Sequence, residues 1–192
     1  MIVRFAGFGG QGVVMSSVIM GQAAAYDGKQ AVQNQAYGSE SRGGECIGDV
    51  IISNEEIYEL EPNSQDVLVA MTQPAYEKFV RRLRSDGTLI YDQDLVVPDG
   101  SIEPPGIEKH GLSATDIAFR QLGRKIVANM ILLGYLNALL NLVTEAALIK
   151  AVRRSVPPGT QDLNLSALRE GMDMARAQRD VADRAKASDA AQ

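Results

Sequence analysis

Thiol and imidazole chemistry are almost missing from these 192 residues: Cys46 is the only cysteine and His110 the only histidine. One thiol cannot close an internal disulfide, and it cannot supply the four thiolates that usually hold an iron–sulfur cluster. A lone histidine without cysteine neighbours makes a His/Cys metal site a poor expectation, so His110 reads as a loop or strand-end residue. The sequence also lacks a G-x-S-x-G elbow, an H-E-x-x-H helix and a Walker loop, and a Ser/His pair could draw only on His110. Positive charge is scarce as well. A net charge of -5 and a pI near 5.0 provide no concentrated basic surface, so nucleic acid is not the expected partner. The opening residues 2–6 lack the basic and long apolar regions of a secretory signal, which points to a cytoplasmic protein. Residues 126–143 carry no charge and approach the length of a membrane span. Asn129, Asn137 and Asn141 interrupt them, so the expectation is no membrane span but a helix buried in the domain or in a subunit interface.

What is present is the balance of a globular protein, 45% hydrophobic and 22% charged, in a length that suits one domain. Residues 1–180 are expected to form that domain and 181–192 a solvated tail, since Val181 is the last strongly apolar residue. An apolar, β-prone start leads into glycines 7, 9, 10 and 12, followed by a helix-like run over 13–26: strand, tight turn, helix. A short strand is expected around 31–33, a polar, glycine-punctuated loop over 34–45, and further strands over 46–53, 66–71 and 88–91. Pro74 can open a helix whose buried face is Tyr76, Phe79, Val80 and Leu83. Prolines 98, 104 and 105 break the next stretch into loops around a short strand near Ile107. The remainder reads as helices: one capped by Thr115 and Asp116, the uncharged run, one opened by Thr144 and Glu145, and an amphipathic one carrying Leu165, Leu168, Met172 and Ala175. This alternation predicts an α/β protein, a three-layer α/β/α domain around a mostly parallel sheet.

Two loops carry the candidate chemistry. Gly7-Phe8-Gly9-Gly10-Gln11-Gly12 satisfies G-x-G-x-x-G after a strand and before a helix, where backbone can approach a phosphate and the helix offers unpaired N–H groups. A dinucleotide fold adds an acidic residue about 20 positions on, yet the sequence there is Ala31-Val32-Gln33-Asn34. Nucleotide binding, another phosphate ligand and a purely structural turn therefore all stay open. The second loop runs Tyr37-Gly38-Ser39-Glu40-Ser41-Arg42-Gly43-Gly44-Glu45. Its arginine among small neighbours could present a charge-assisted fork to phosphate or carboxylate, or could simply pair with Glu40 or Glu45 on the surface. Asp92 and Asp94 could form a carboxylate pair, although their i, i+2 spacing more often gives a solvated turn.

Taken together, GFGGQG at 7–12, AYGSESRGGE at 36–45, GDVIIS at 48–53, LIYD at 89–92 and the NMILLGYLNAL run resemble the gamma subunit of 2-oxoacid:ferredoxin oxidoreductases. The resemblance covers residues 2–175. It implies an α/β gamma domain that is not catalytic alone but works within an assembly. That assembly decarboxylates a 2-oxoacid such as 2-oxoglutarate, pyruvate or an arylglyoxylate on thiamine pyrophosphate and Mg2+, and it forms an acyl-coenzyme A. Its electrons pass through iron–sulfur clusters to ferredoxin or to an NAD-reducing subunit. Implied partners are the alpha, beta and iron–sulfur (delta) subunits, which hold most of the thiamine and cluster contacts. Matched residue by residue, the implied cofactor-binding positions are Gly7, Gly9, Gly10, Gln11 and Gly12 in the first loop. In the second they are Tyr37, Gly38, Glu40, Arg42, Gly43 and Gly44. No residue is implied as catalytic or as a metal ligand.

Overall fold

The computed structural model describes residues 1–37, 44–58 and 63–189, with backbone alone beyond 181. Six strands form one sheet in the order β2-β3-β1-β4-β5-β6. They are β1 Ile2–Phe8, β2 Gln30–Tyr37, β3 Glu45–Ser53, β4 Gln65–Ala70, β5 Leu83–Asp92 and β6 Glu108–Leu112. The helices are α1 Val13–Tyr26, α2 Gln73–Phe79, α3 Ala114–Arg120, α4 Ala128–Leu140, α5 Glu145–Ser155 and α6 Gln161–Asp189.

Strands β1, β4, β5 and β6 pair in parallel, whereas β3 runs antiparallel to both β1 and β2. The sheet is thus mixed and mostly parallel, with an antiparallel hairpin forming one wing. Strand β2 runs further than the residue pattern suggests. Residues 34–37, expected in a loop, continue β2 because each pairs with β3, from Asn34 opposite Asp49 to Tyr37 opposite Cys46. Pairing with a strand buried on both faces overrides the weak strand preference of Asn and Gln.

The two faces of the sheet are covered unequally. One carries the main core, where Val3, Phe5, Val50, Val69 and Ile90 meet α1, α4, α5 and α6. The other carries a smaller core of Ala6, Leu68, Ala70 and Leu89 under α2, with Tyr76, Phe79 and Val80. The uncharged run forms α4, buried from Ala128 through Asn137 inside its own domain. Glycine permits this depth: a Cβ on Gly134 would strike the Leu168 carbonyl of α6, and one on Gly171 would strike the Ile131 carbonyl of α4. Of the two settings expected for this helix, the domain interior is the one observed. No helix among the described residues is long and apolar enough to cross a membrane.

Two buried polar residues take partners inside the domain. Arg4, an outlier in an apolar strand, is buried and grips Asp49 in a two-pronged ion pair, Nε to Oδ1 at 2.7 Å and a terminal nitrogen to Oδ2 at 2.6 Å. His110 lies in β6, buried, with Nδ1 2.9 Å from the Tyr135 hydroxyl. Glu108 Oε1 approaches Nε2 at 3.0 Å but out of line for a hydrogen bond.

Candidate functional site

Chain order decides where a ligand can approach. After β1 the chain turns through α1 to β2 and β3 on one side of the sheet; after β3 it crosses to β4 on the other. The carboxyl end of β1 is therefore a topological switch point, where open α/β sheets leave a crevice. The first loop lies at that point.

Its conformation is held from three directions. The Phe8 N–H donates to Gln11 Oε1 at 2.7 Å, and Gln11 Nε2 donates to the Met71 carbonyl at 3.2 Å, which ties the ends of β1 and β4 together. A Cβ at Gly7 would sit 2.6 Å from Gln11 Oε1, so glycine makes room for this clasp. Gly12, the residue before α1, has a left-handed backbone with φ of 76°. Its carbonyl accepts from Asn129 Nδ2 at 3.2 Å, and the same amide reaches Ser16 Oγ at 3.3 Å. The Gly9 N–H donates to the Gly44 carbonyl at 2.9 Å, joining the first loop to the end of the second. Gly7, Gly9, Gly10, Gln11, Gly12, Tyr37 and Gly44 thus lie together; Gly38, Glu40, Arg42 and Gly43 lie outside the described residues.

The start of α1 has no side-chain cap and no acidic residue in its first turn. Apart from the Val14 N–H, which faces the Cys46 sulfur, its N–H groups and positive dipole end are unopposed, the arrangement that favours an anion. Two cavities flank it. One of about 430 Å³ is mostly apolar and is lined in part by Phe8, Gly9, Val14, Tyr37, Cys46 and Ile126. A second, of about 380 Å³, lies beyond Gly10 between Gln11, Met71, Asp92, Leu95 and Lys125. Large apolar side chains rim this edge unburied: Phe8, Tyr37, Leu95 and Ile126 are 37%, 65%, 40% and 66% exposed. Contiguous apolar surface of this kind marks a binding or association face.

Reactive groups near the loop are engaged elsewhere or suppressed. Burial pushes the Cys46 thiol up, only partly offset by the Val14 N–H, so it is a weak nucleophile at neutral pH. Asp92 is likewise raised by burial first, against the Thr115 hydrogen bonds that lower it. It accepts from Thr115 N–H at 3.1 Å and Thr115 Oγ1 at 2.5 Å, while Asp94 accepts from the Asp116 N–H at 2.8 Å. The two carboxylates cap α3 from across the sequence. Spacing alone offered a metal pair or a solvated turn. Phe8, Ile126 and Asn129 carry much of the site's shape, and the residue pattern does not mark them as site residues. For Asn129 a signal existed, an amide inside an otherwise apolar helix.

Over 175 residues the chain is 40% identical to 2-oxoglutarate synthase subunit KorC of Methanocaldococcus jannaschii, covering 91% of this chain and 93% of that one. The gamma subunit of a keto/oxoacid ferredoxin oxidoreductase from Geobacter sulfurreducens superposes with a TM-score of 0.79 at 40% identity, over 92% of this chain and 98% of that one. A 2-oxoglutarate:ferredoxin oxidoreductase from Magnetococcus marinus, with 2-oxoglutarate, coenzyme A and succinyl-CoA bound, superposes with a TM-score of 0.83 at 25% identity. That match covers 92% of this chain and 31% of that one. With residues 2–174 also matching the family model for pyruvate ferredoxin/flavodoxin oxidoreductase, the chain belongs to this family as a gamma-type subunit.

Proposed function

We propose that this chain is the gamma subunit of a cytoplasmic 2-oxoglutarate:acceptor oxidoreductase, and that the carboxyl edge of its sheet is the face it offers to the catalytic subunits. The observation that carries the reading is one edge on which a glycine loop, an uncapped helix start, two cavities and four unburied apolar side chains occur together. The relatives fit the substrate: one is a 2-oxoglutarate synthase subunit matched over nearly its whole length, another an enzyme with 2-oxoglutarate and succinyl-CoA bound.

The residues present divide the expected cofactors. One buried cysteine, and no cluster of His, Cys, Asp or Glu that could hold a metal among the described residues, do not fit an iron–sulfur cluster or Mg2+. Clusters, thiamine pyrophosphate and Mg2+ are assigned to the alpha, beta and delta partners, with ferredoxin or an NAD-reducing subunit receiving the electrons. Coenzyme A is a better fit. Its phosphates match the free N–H groups at the head of α1, and its less polar arm matches the apolar cavity beside Phe8 and Tyr37. Arg42 is the cation that would reach either those phosphates or the oxoacid carboxylate.

Co-expression with the partner subunits, followed by steady-state kinetics over a panel of 2-oxoacids, tests the reading. We expect 2-oxoglutarate to give the highest kcat/KM, Ile126→Glu to lose co-purification, and Arg42→Ala to raise KM for coenzyme A or the oxoacid about tenfold or more, the loss of one charge-assisted contact. Unchanged assembly and unchanged kinetics in both variants would overturn it.

A further inference from the structure

The two edges of the sheet are built differently. β6 is five residues long and carries Glu108 and Lys109, both exposed, the charged, short edge that keeps other strands away. β2 is eight residues long, QAVQNQAY, without a charge or a proline. Its outer side is bare among the described residues.

The hydrogen-bond parity of the hairpin shows which groups face outward. Ile52 N–H donates to the Met1 carbonyl at 2.8 Å, and Gly9 N–H to the Gly44 carbonyl at 2.9 Å, so even-numbered residues of β3 point their main chain at β1. Odd-numbered ones then point at β2, where Ile51, Asp49 and Ile47 stand opposite Val32, Asn34 and Ala36. It follows that Ala31, Gln33, Gln35 and Tyr37 turn both N–H and C=O away from the sheet. No hydrogen bond among the described residues takes up these eight groups. Nor does α1 shield them, because a shallow groove floored by Gly21, Ala25 and Ala31 runs beside the strand.

We propose that β2 is a strand-addition surface whose occupant is β2 of a second copy of this chain, joined antiparallel about a twofold axis at Asn34. In that register Ala31 faces Tyr37 of the second copy and Gln33 faces its Gln35. All eight outward groups on each chain are then paired. Any shifted register leaves some unpaired. A twofold axis brings like residues together, and a strand with no charge is the kind that tolerates this. The two carboxyl edges end up pointing in opposite directions, so the pairing meets the face described above only at Tyr37, through its main chain, and does not rest on the function proposed for that face.

Sedimentation of the full chain, and hydrogen exchange on the chain and on the assembled oxidoreductase, test the proposal. The chain should sediment at twice its 20.7 kDa mass, with Ala31, Gln33, Gln35 and Tyr37 amides protected. Gln35→Pro removes an outward N–H and should give a monomer with an unchanged circular dichroism spectrum. Should that variant misfold, Asn34→Cys supplies a second route: the axis places position 34 beside itself, within disulfide reach, so mild oxidation should yield a covalent dimer, whereas Asn54→Cys should not. A monomer with four fast-exchanging edge amides overturns the proposal. So does protection that arises only when other subunits bind, since the added strand would then be theirs.

Discussion

Alanine at position 12 meets two separate obstacles, and they can be measured apart. The first is backbone: φ of 76° lies in the left-handed region, where a side chain costs roughly 1–2 kcal/mol. The second is contact, because a Cβ there would overlap the Asn129 side chain. Relieving the overlap means moving Asn129 off the Gly12 carbonyl and Ser16 Oγ, and two lost hydrogen bonds add about 1–3 kcal/mol. Gly12→Ala should therefore destabilise by roughly 2–5 kcal/mol. Gly10→Ala is the control from the same loop, since its φ is also positive but nothing lies within 4 Å of its Cβ; only the backbone cost of about 1–2 kcal/mol applies. Urea unfolding with a constant m value reads both. In an Asn129→Ala background the contact disappears, so Gly12→Ala should fall to the cost of Gly10→Ala, a coupling of about 1–3 kcal/mol. Equal costs for the two glycines, or strict additivity with Asn129→Ala, would refute the idea that α4 locks the loop through this amide.

Other perturbations follow from the buried polar groups. Arg4→Met strands the Asp49 carboxylate inside the sheet and should cost about 3–5 kcal/mol in chemical denaturation, most of it recovered in the Arg4→Met/Asp49→Leu double variant. Asp92 has a folded pKa raised by burial, so its stabilising contribution is full below the unfolded aspartate value and is lost as pH rises through the folded one. Asp92→Asn should accordingly become less harmful, relative to the native chain, as pH rises from the acid range to neutrality in paired denaturation curves; the opposite slope would contradict the burial argument. Tyr76 and Tyr135 are both pushed up to about 12, chiefly by burial. Ultraviolet titration should therefore show two tyrosines ionising late, with stability intact below the ordinary tyrosine value of about 10 and lost toward 12; Tyr135→Phe should remove one late step.

Local signals in the chain were strong where they depended on neighbours in sequence. The glycine loop announces the start of α1 at Val13, and Thr144 is indeed the N-cap of α5, accepting from the Ala147 N–H. Where a residue's partner is far away, the pattern misleads. Thr115 and Asp116 look like a cap for α3, yet Ser113 precedes that helix and the capping acceptors are Asp92 and Asp94, more than twenty residues earlier. Asn34 to Tyr37 read as loop because Asn and Gln favour turns, and only the register with β3 makes them strand. Arg4 gives no hint of Asp49, and the Gly12–Asn129 contact spans 117 positions. The candidate site was legible as a glycine motif but not as a cavity, since its walls at Phe8, Ile126 and Asn129 come from three separate elements.

The side chains around the loop are committed to holding its shape. Gln11 is used up between Phe8 and Met71, Asn129 on the Gly12 carbonyl, and Asp92 and Asp94 on the start of α3. Burial keeps Cys46 protonated, and His110 is bonded to Tyr135 within the domain. Acid–base or nucleophilic work by any of these would require breaking the contact that shapes the edge. Among the described residues, main-chain N–H groups at the head of α1, the unburied apolar side chains and Lys125 are left to meet a ligand. Adding a methyl group at Gly12 would therefore deform the edge itself, because it displaces the Asn129 amide that holds the loop.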